Sequence, residues 1–153
     1  MARFFRRGVT KLVFCPTVAA PATGPTRPEL TSGTKLTGIS AISGFSISNN
    51  PVPVPDLDSR FTASVPGEDT TEASSLTFYD DNATASAART ALAKDVVGYI
   101  IYMPYGDVPT KRAEVWRVQS TGVNDVIDMA AAATFTVGLT PLDPPVQNAV
   151  IPA

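Results

Sequence analysis

Adjacent carboxylates at Asp80 and Asp81, an acidic run holding Glu68, Asp69 and Glu72, and a single cysteine at Cys15 are the side chains whose types could do chemistry. Paired carboxylates can divide acid and base roles, and a thiolate can act as a nucleophile, but each needs partners. The 153 residues include no histidine. That removes the usual general base, the commonest transition-metal ligand and every Ser/His or Cys/His nucleophile pair. Asp80 and Asp81, with Asn82, stand where a helix begins, and N-capping at the positive end of its dipole explains them without catalysis. The acidic run falls in PGEDTTEASS, which reads as a turn-rich, solvated loop, since calcium loops need closer, ordered spacing. Cys15 ends the apolar run LVFC, so a buried, inert thiol is expected, and a lone cysteine excludes an intrachain disulfide. The residues argue against an enzyme and imply neither metal nor cofactor.

The elements that position these groups centre on residues 80–107. Ala85, Ala88 and Leu92 recur at helical spacing opposite Ser86, Arg89 and Lys94, which predicts a surface-packed helix of about three turns with a narrow apolar stripe. Gly98 reads as the break after it. Tyr99, Ile101 and Met103 then alternate with Ile100 and Tyr102, so both faces of this strand are apolar and both must be covered, one by the helix and one by a second sheet. Pro104, Tyr105, Gly106 and Asp107 end the strand in a turn.

A chain of this length is one domain, and its 44% hydrophobic content is enough for a core. A net charge of −2 gives no general attraction to nucleic acid or to anionic membranes. No apolar run approaches the about 20 residues of a membrane helix, and MARFFRR lacks the apolar region of a signal peptide, so a soluble protein, intracellular when made and without membrane insertion, is expected.

Along the chain, Arg3, Phe4, Phe5, Arg6 and Arg7 make a basic, aromatic start that either frays or docks on a neighbour. Residues 11–15 read as a strand and PTVAAPATGPTRP as a long loop. Alternation in residues 39–48 sets Ile39, Ala41, Phe45 and Ile47 against Ser40, Ser46 and Ser48. Asn49, Asn50, Pro51, Val52, Pro53, Val54 and Pro55, leading to Asp56, predict an extended excursion poor in hydrogen bonds. Leu57, Phe61, Ala63 and Val65 then alternate with Asp58, Arg60, Thr62 and Ser64, completing a long hairpin with a stiff tip. Leu76 and Phe78 continue as a short strand. Trp116 and Val118 share one face of the strand 111–120, with Val115 on the other, and Trp116 reads as a core or subunit-interface anchor. Phe135, Val137 and Leu139 alternate with Thr134, Thr136 and Thr140. The tail PLDPPVQNAVIPA, with Pro144, Pro145 and Val146, cannot be a central strand and is expected to be a disordered tail or an extended arm. The fold class is mainly β, a β-sandwich or rolled sheet with one flanking α-helix. Residues 1–10 are an N-terminal arm, 11–140 the domain, and 141–153 a Pro-rich C-terminal arm.

The order of PELTSGTKLTG before a GFS strand, the hairpin ending SRFTASVPGEDTTEASSLTFYDD, the helix leading into GYIIYMPYGD, and TFTVGLTPLDPP resembles major tail tube proteins of long-tailed phages. The resemblance runs from about residue 28 to residue 145. It implies a β-sandwich flanked by a helix, with six copies closing a ring whose inner strands form one barrel. It also implies stacking of the rings into a virion tail tube, assembled in the host bacterial cytoplasm, that conducts DNA during ejection. Self-association, tail terminator, tape measure and tail-tip partners, and no enzymatic activity follow from it. On this resemblance, 49–55 are the inter-ring loop, and Arg3, Phe4, Phe5, Pro144, Pro145 and Val146 belong to docking arms. The faces carrying Ser40, Ser46, Ser48, Asp58, Arg60, Thr62, Ser64, Thr134, Thr136 and Thr140 are candidates for the lumen, because short hydroxyls add no phosphate contacts to passing DNA, with Arg60 the exception beside Asp58 on the same face. Ordinary solvent-facing strand residues are the alternative, and a tail terminator, a head decoration protein or a carbohydrate-binding module are the competing functions. Three of the four tyrosines, Tyr99, Tyr102 and Tyr105, lie in the apolar strand and its end turn, which leaves little for a sugar-stacking platform.

Overall fold

The computed structural model describes residues 2–81 and 87–153. In chain order these form β1 (Lys11–Cys15), α1 (Arg27–Ser32), β2 (Thr34–Leu36), β3 (Ile39–Ser43), β4 (Ile47–Val54), β5 (Ala63–Thr71), β6 (Ser74–Tyr79), α2 (Ala87–Ala91), β7 (Val97–Met103), β8 (Arg112–Val126), β9 (Thr134–Pro141) and β10 (Val146–Val150). One antiparallel sheet runs β2-β1-β7-β8-β9-β6-β3, with β10 also paired to β8, while β4 and β5 form a separate ribbon.

The sheet curls because its alternating apolar residues meet on one side. Leu12 and Phe14 of β1, Leu36, Ile100, Trp116 and Val118, Phe135, Val137 and Leu139, and Leu76 and Phe78 belong to one buried cluster, with Ile39 packed against it. Strands at opposite ends of the order thus share a core, but β2 and β3 do not pair, and no barrel closes. Ala88 and Leu92 lay α2 over this inner face. The predicted cap at Asn82 and the stripe residue Ala85 lie outside the described residues. Burying a side chain such as Leu76 or Phe135 contributes about 1.5–3 kcal/mol, and Trp116 is fully buried, its ring edge-on to Phe45 with centroids 5.4 Å apart.

The apolar alternation of the β7 strand does demand cover on both sides. The second cover is not a second sheet, however. Ile101, Met103, Ala113 and Val115 on the outer face of β7 and β8 pack with Val13, Cys15, Val18, Leu30 of α1, Ala149 and Ile151. The C-terminal stretch expected as a tail or arm is therefore folded in: β10 adds to the free edge of β8, and Ala149 and Ile151 are buried. Its prolines bracket the strand, where no ladder bond is lost.

Four further local expectations give way. Gly98 is inside β7 rather than a break before it, because a side chain there would collide with the ring of Phe14. Residues 39–48 are two strands, divided where Gly44 and Phe45 take left-handed backbone (φ 84° and 57°). The excursion 49–56 is not poor in hydrogen bonds: β4 pairs with β5 from Ile47↔Thr71 to Val54↔Ala63. At the register shift beside Pro51, which has no N–H, the Asn49 side chain donates to Gly67 O (3.0 Å) and accepts from Gly67 N (3.2 Å), replacing the missing ladder bonds. The acidic run is accordingly a strand, since Glu68 and Asp69 lie in β5.

The loop before β2 ends in α1, which the sequence reading passed over. Glu29 Oε2 accepts from the backbone N of Thr26 (2.8 Å) and Oε1 from that of Ala19 (3.0 Å), capping the helix and tying the loop to it. Those two backbone donors hold the Glu29 carboxyl below its ordinary range.

Candidate functional site

Cys15, Asp69 and Asp80, three of the groups that could do chemistry, make local structural contacts. Burial, and secondarily the nearby Glu29, push the Cys15 thiol up to about 11, away from thiolate reactivity. Asp80 faces Arg89 at 3.6 Å, and Arg89 donates to Asp125 at 2.6 Å with its guanidinium 4.6 Å from the Phe135 ring centroid. The bond to Asp125 raises the Arg89 pKa further, and the cluster clamps α2 to the end of the β8–β9 hairpin. Among the described residues no group of three His, Cys, Asp or Glu side chains could hold a metal ion, and no helix is long and apolar enough to cross a membrane.

Two surfaces remain. The first is the outer face of β3, β6, β9 and the C-terminal half of β8, where Ala41, Ser43, Tyr79, Asn124 and Val126 are exposed and Ser75, Thr77, Thr134 and Thr136 half-buried. Register places Ala41, Thr77, Thr136 and Asn124 in one row across the four strands, with Ser43, Ser75, Gly138 and Gly122 in the next and Tyr79, Thr134 and Val126 in a third. Thr77 and Thr136 hydroxyls lie 3.2 Å apart. No charged residue occurs in these rows. They arise because the inner positions alternate strictly, leaving the outer ones to short polar side chains. β8 passes from β10 to β9 along one edge between Val115 and Val118, and the later bulge at Thr121 changes which of its residues face inward, so that Val123 pairs with Val137.

The second surface is the ribbon. Ser48, Asn49, Asn50, Pro51, Val52, Pro53 and Val54 lie on β4 and Ser64 on β5, while Pro55, Asp58, Arg60 and Thr62 lie in the tip that joins them. The tip is shaped by its own side chains, with Asp56 Oδ1 accepting from Asp58 N (3.0 Å) and Ser59 Oγ from Phe61 N (3.1 Å). Leu57 is 101% and Phe61 78% exposed.

The sequence-selected hydroxyl residues therefore do not share one face. Thr134, Thr136 and Thr140 lie on the sheet's outer face. Ser40 sits at the β3 bulge, its hydroxyl donating to Thr77 O (3.4 Å). Ser46 lies between β3 and β4, and Ser48, Asp58, Arg60, Thr62 and Ser64 belong to the ribbon. Reading residues 39–48 as one strand merged the two groups. The reading also passed over Ser75, Thr77 and Asn124, which only cross-strand register brings beside Thr136. Arg3, Phe4 and Phe5 are exposed in the N-terminal segment, where Phe4 lies 5.5 Å from Tyr105. Pro144 and Pro145 lead into β10, which begins at Val146.

The phage tail tube protein family matches residues 1–153. No curated protein shows a significant match. Among solved structures, the sheath/tube terminator of an extracellular contractile injection system (PVC), in its extended state, superposes with a TM-score of 0.67 at 12% identity, over 97% of this chain and 99% of the other. The tail of an empty gene transfer agent particle, determined with C6 symmetry, gives 0.57 at 13% identity, over 97% and 100%. The SPP1 tail tube gives 0.52 at 14% identity, over 92% and 77%. At such identities the structures share the fold, whereas the family match spans the whole sequence. This chain belongs to the phage tail tube protein family, and its role is that of a structural virion protein.

Proposed function

We propose that six copies close into rings, that the rings stack into the tail tube, and that the tube conducts DNA during ejection. The observation that carries this is the uncharged outer face of β3, β6, β9 and β8 on a sheet whose end strands are left open, in a chain matched end to end by the tube family. Beyond its bond to β6, β3 presents an unpaired edge, and a neighbouring copy that pairs with it removes the hazard of exposed ladder groups. The rows holding Thr134, Thr136, Thr77, Ser75 and Asn124 line the bore, with Thr140 above them. A Lys or Arg there would be repeated around each ring and would hold phosphates by counterion release. The ribbon and the N-terminal segment reach the adjacent ring. Tail terminator, tape measure and tail-tip proteins are the further partners, and the assembled place is the virion tail, built in the host cytoplasm.

Electron microscopy of the purified protein, alone and with the other tail proteins, tests the reading. Hollow tubes are expected, and a map at side-chain resolution should place Thr136 and Asn124 in the bore. Monomers that persist in both conditions, or a bore lined by Arg89, Lys111 and Arg112, would overturn it. The 0.67 superposition on a terminator supports a second reading, a capping ring. Single rings that never stack would favour that one.

A further inference from the structure

The curled sheet has a mouth, and its chemistry matches the ribbon tip. Between β3 on one side and β1 and β7 on the other, two compartments of about 460 Å³ and about 440 Å³ adjoin, sharing Arg6, Leu12, Ile42 and Tyr102. Arg6 donates to the Tyr102 hydroxyl across the boundary. The floor is the inner core reaching the surface: Leu12 and Ile39 in the first compartment, Ile100 and Phe45 in the second. Ile42 remains 47% exposed above it. The rims differ in charge. Arg6, Arg7 and Lys11 line the first compartment with no carboxylate, whereas Glu114 lies with Arg112 in the second.

The tip carries apolar side chains flanked by acidic ones that suit the basic compartment. Leu57 stands between Asp56 and Asp58, and Phe61 follows Arg60. Leu57 and Phe61 are among the most exposed large apolar side chains described, so the tip does not fill the mouth of its own chain. Its internal hydrogen bonds to Asp58 N and Phe61 N set its shape before any partner arrives, which lowers the ordering cost of docking.

We propose that the mouth of the roll is the receptor for the ribbon tip of a second copy. Leu57 enters the compartment rimmed by Arg6, Arg7 and Lys11, with Asp56 and Asp58 against those cations, and Phe61 enters the second compartment over Ile100 and Phe45, where Glu114 is held by Arg112 and the Trp116 indole. The inference rests on the reading that copies stack, and it names the surface that joins them. The cations of the first compartment, which no carboxylate in its lining offsets, attract the Asp56 and Asp58 end of the tip and repel Arg60, and this orients the tip in the mouth.

Two measurements decide it. Copies carrying Leu57→Cys are mixed with copies carrying Ile42→Cys under mild oxidation, with Cys15 buried in both. A disulfide between the two kinds of copy is expected, whether in tubes or in concentrated soluble protein. Separately, Asp58→Lys and Lys11→Glu each lower tube yield by about tenfold, and their combination restores most of it. Tubes that form without the cross-link, and charge reversals that neither impair nor rescue assembly, would overturn the docking proposal while leaving the tube reading intact. If the wild type makes no tubes, the stacking reading fails, and the cross-link in soluble protein still decides whether tip and mouth meet.

Discussion

In the roll, Leu76, Phe78, Phe135 and Val137 are shut from solvent, whereas in the ribbon Ile47, Val52, Val54 and Val65 stay substantially exposed although they too lie on paired strands. The two regions have the same backbone chemistry and differ in what stands opposite their apolar faces. The roll turns its strands onto each other, so burial rewards every inner position. A two-stranded ribbon has no second layer along most of its length, and it tolerates Pro51, Pro53 and the acidic β5 because β4 is exposed throughout and β5 over most of its residues. Apolar side chains kept in such a place stabilise little within one copy and are available to another.

Substitutions can break this contrast, and the core should respond most. Trp116→Ala should cost about 3–5 kcal/mol and Ile151→Ala about 2–5 kcal/mol in chemical denaturation. The second result matters more for the comparison, because a loss near zero would return the C-terminal segment to the ribbon's class, as an arm with no part in the core. A smaller effect is expected at Glu29. Its folded carboxyl is held below the ordinary value, so the stability it contributes is complete above its unfolded pKa and lost as pH falls through the folded one. Glu29→Gln should therefore destabilise at neutral pH, and the gap to wild type should narrow in acid when melting is followed across that window. Smallest of all, Val54→Thr on the ribbon should change the stability of the isolated chain by no more than about 0.5 kcal/mol. A larger loss would mean that the ribbon packs against the roll.

The same contrast explains what the sequence disclosed. Strands β6 and β9 were legible because each buries alternate residues, β1, β7 and β8 because their apolar runs need cover on both faces, and Trp116 was legible as an anchor because Val118 shares its face. The hydroxyl face was half legible: Thr134, Thr136 and Thr140 show the alternation on one strand, but the partners Thr77 and Asn124 depend on register between distant segments. The ribbon was misread where its lack of a second layer permits prolines and acids that elsewhere signal loops. β10 was hidden by the prolines around it, since an edge strand of five residues needs only VQNAV. α1 left a signal that was available, Thr26 followed three residues later by Glu29, with Pro28 in the first turn.

The length of β8 has a consequence for how the molecule comes apart. Successive residues of this strand serve different interiors, Ala113 and Val115 one, Trp116 and Val118 the other. Neither interior can loosen without drawing the shared strand out of its neighbour. The two cores should thus open together, as a single cooperative unit with one level of amide protection, while the ribbon, joined to the roll through the short links on either side of it, exchanges with solvent on its own schedule.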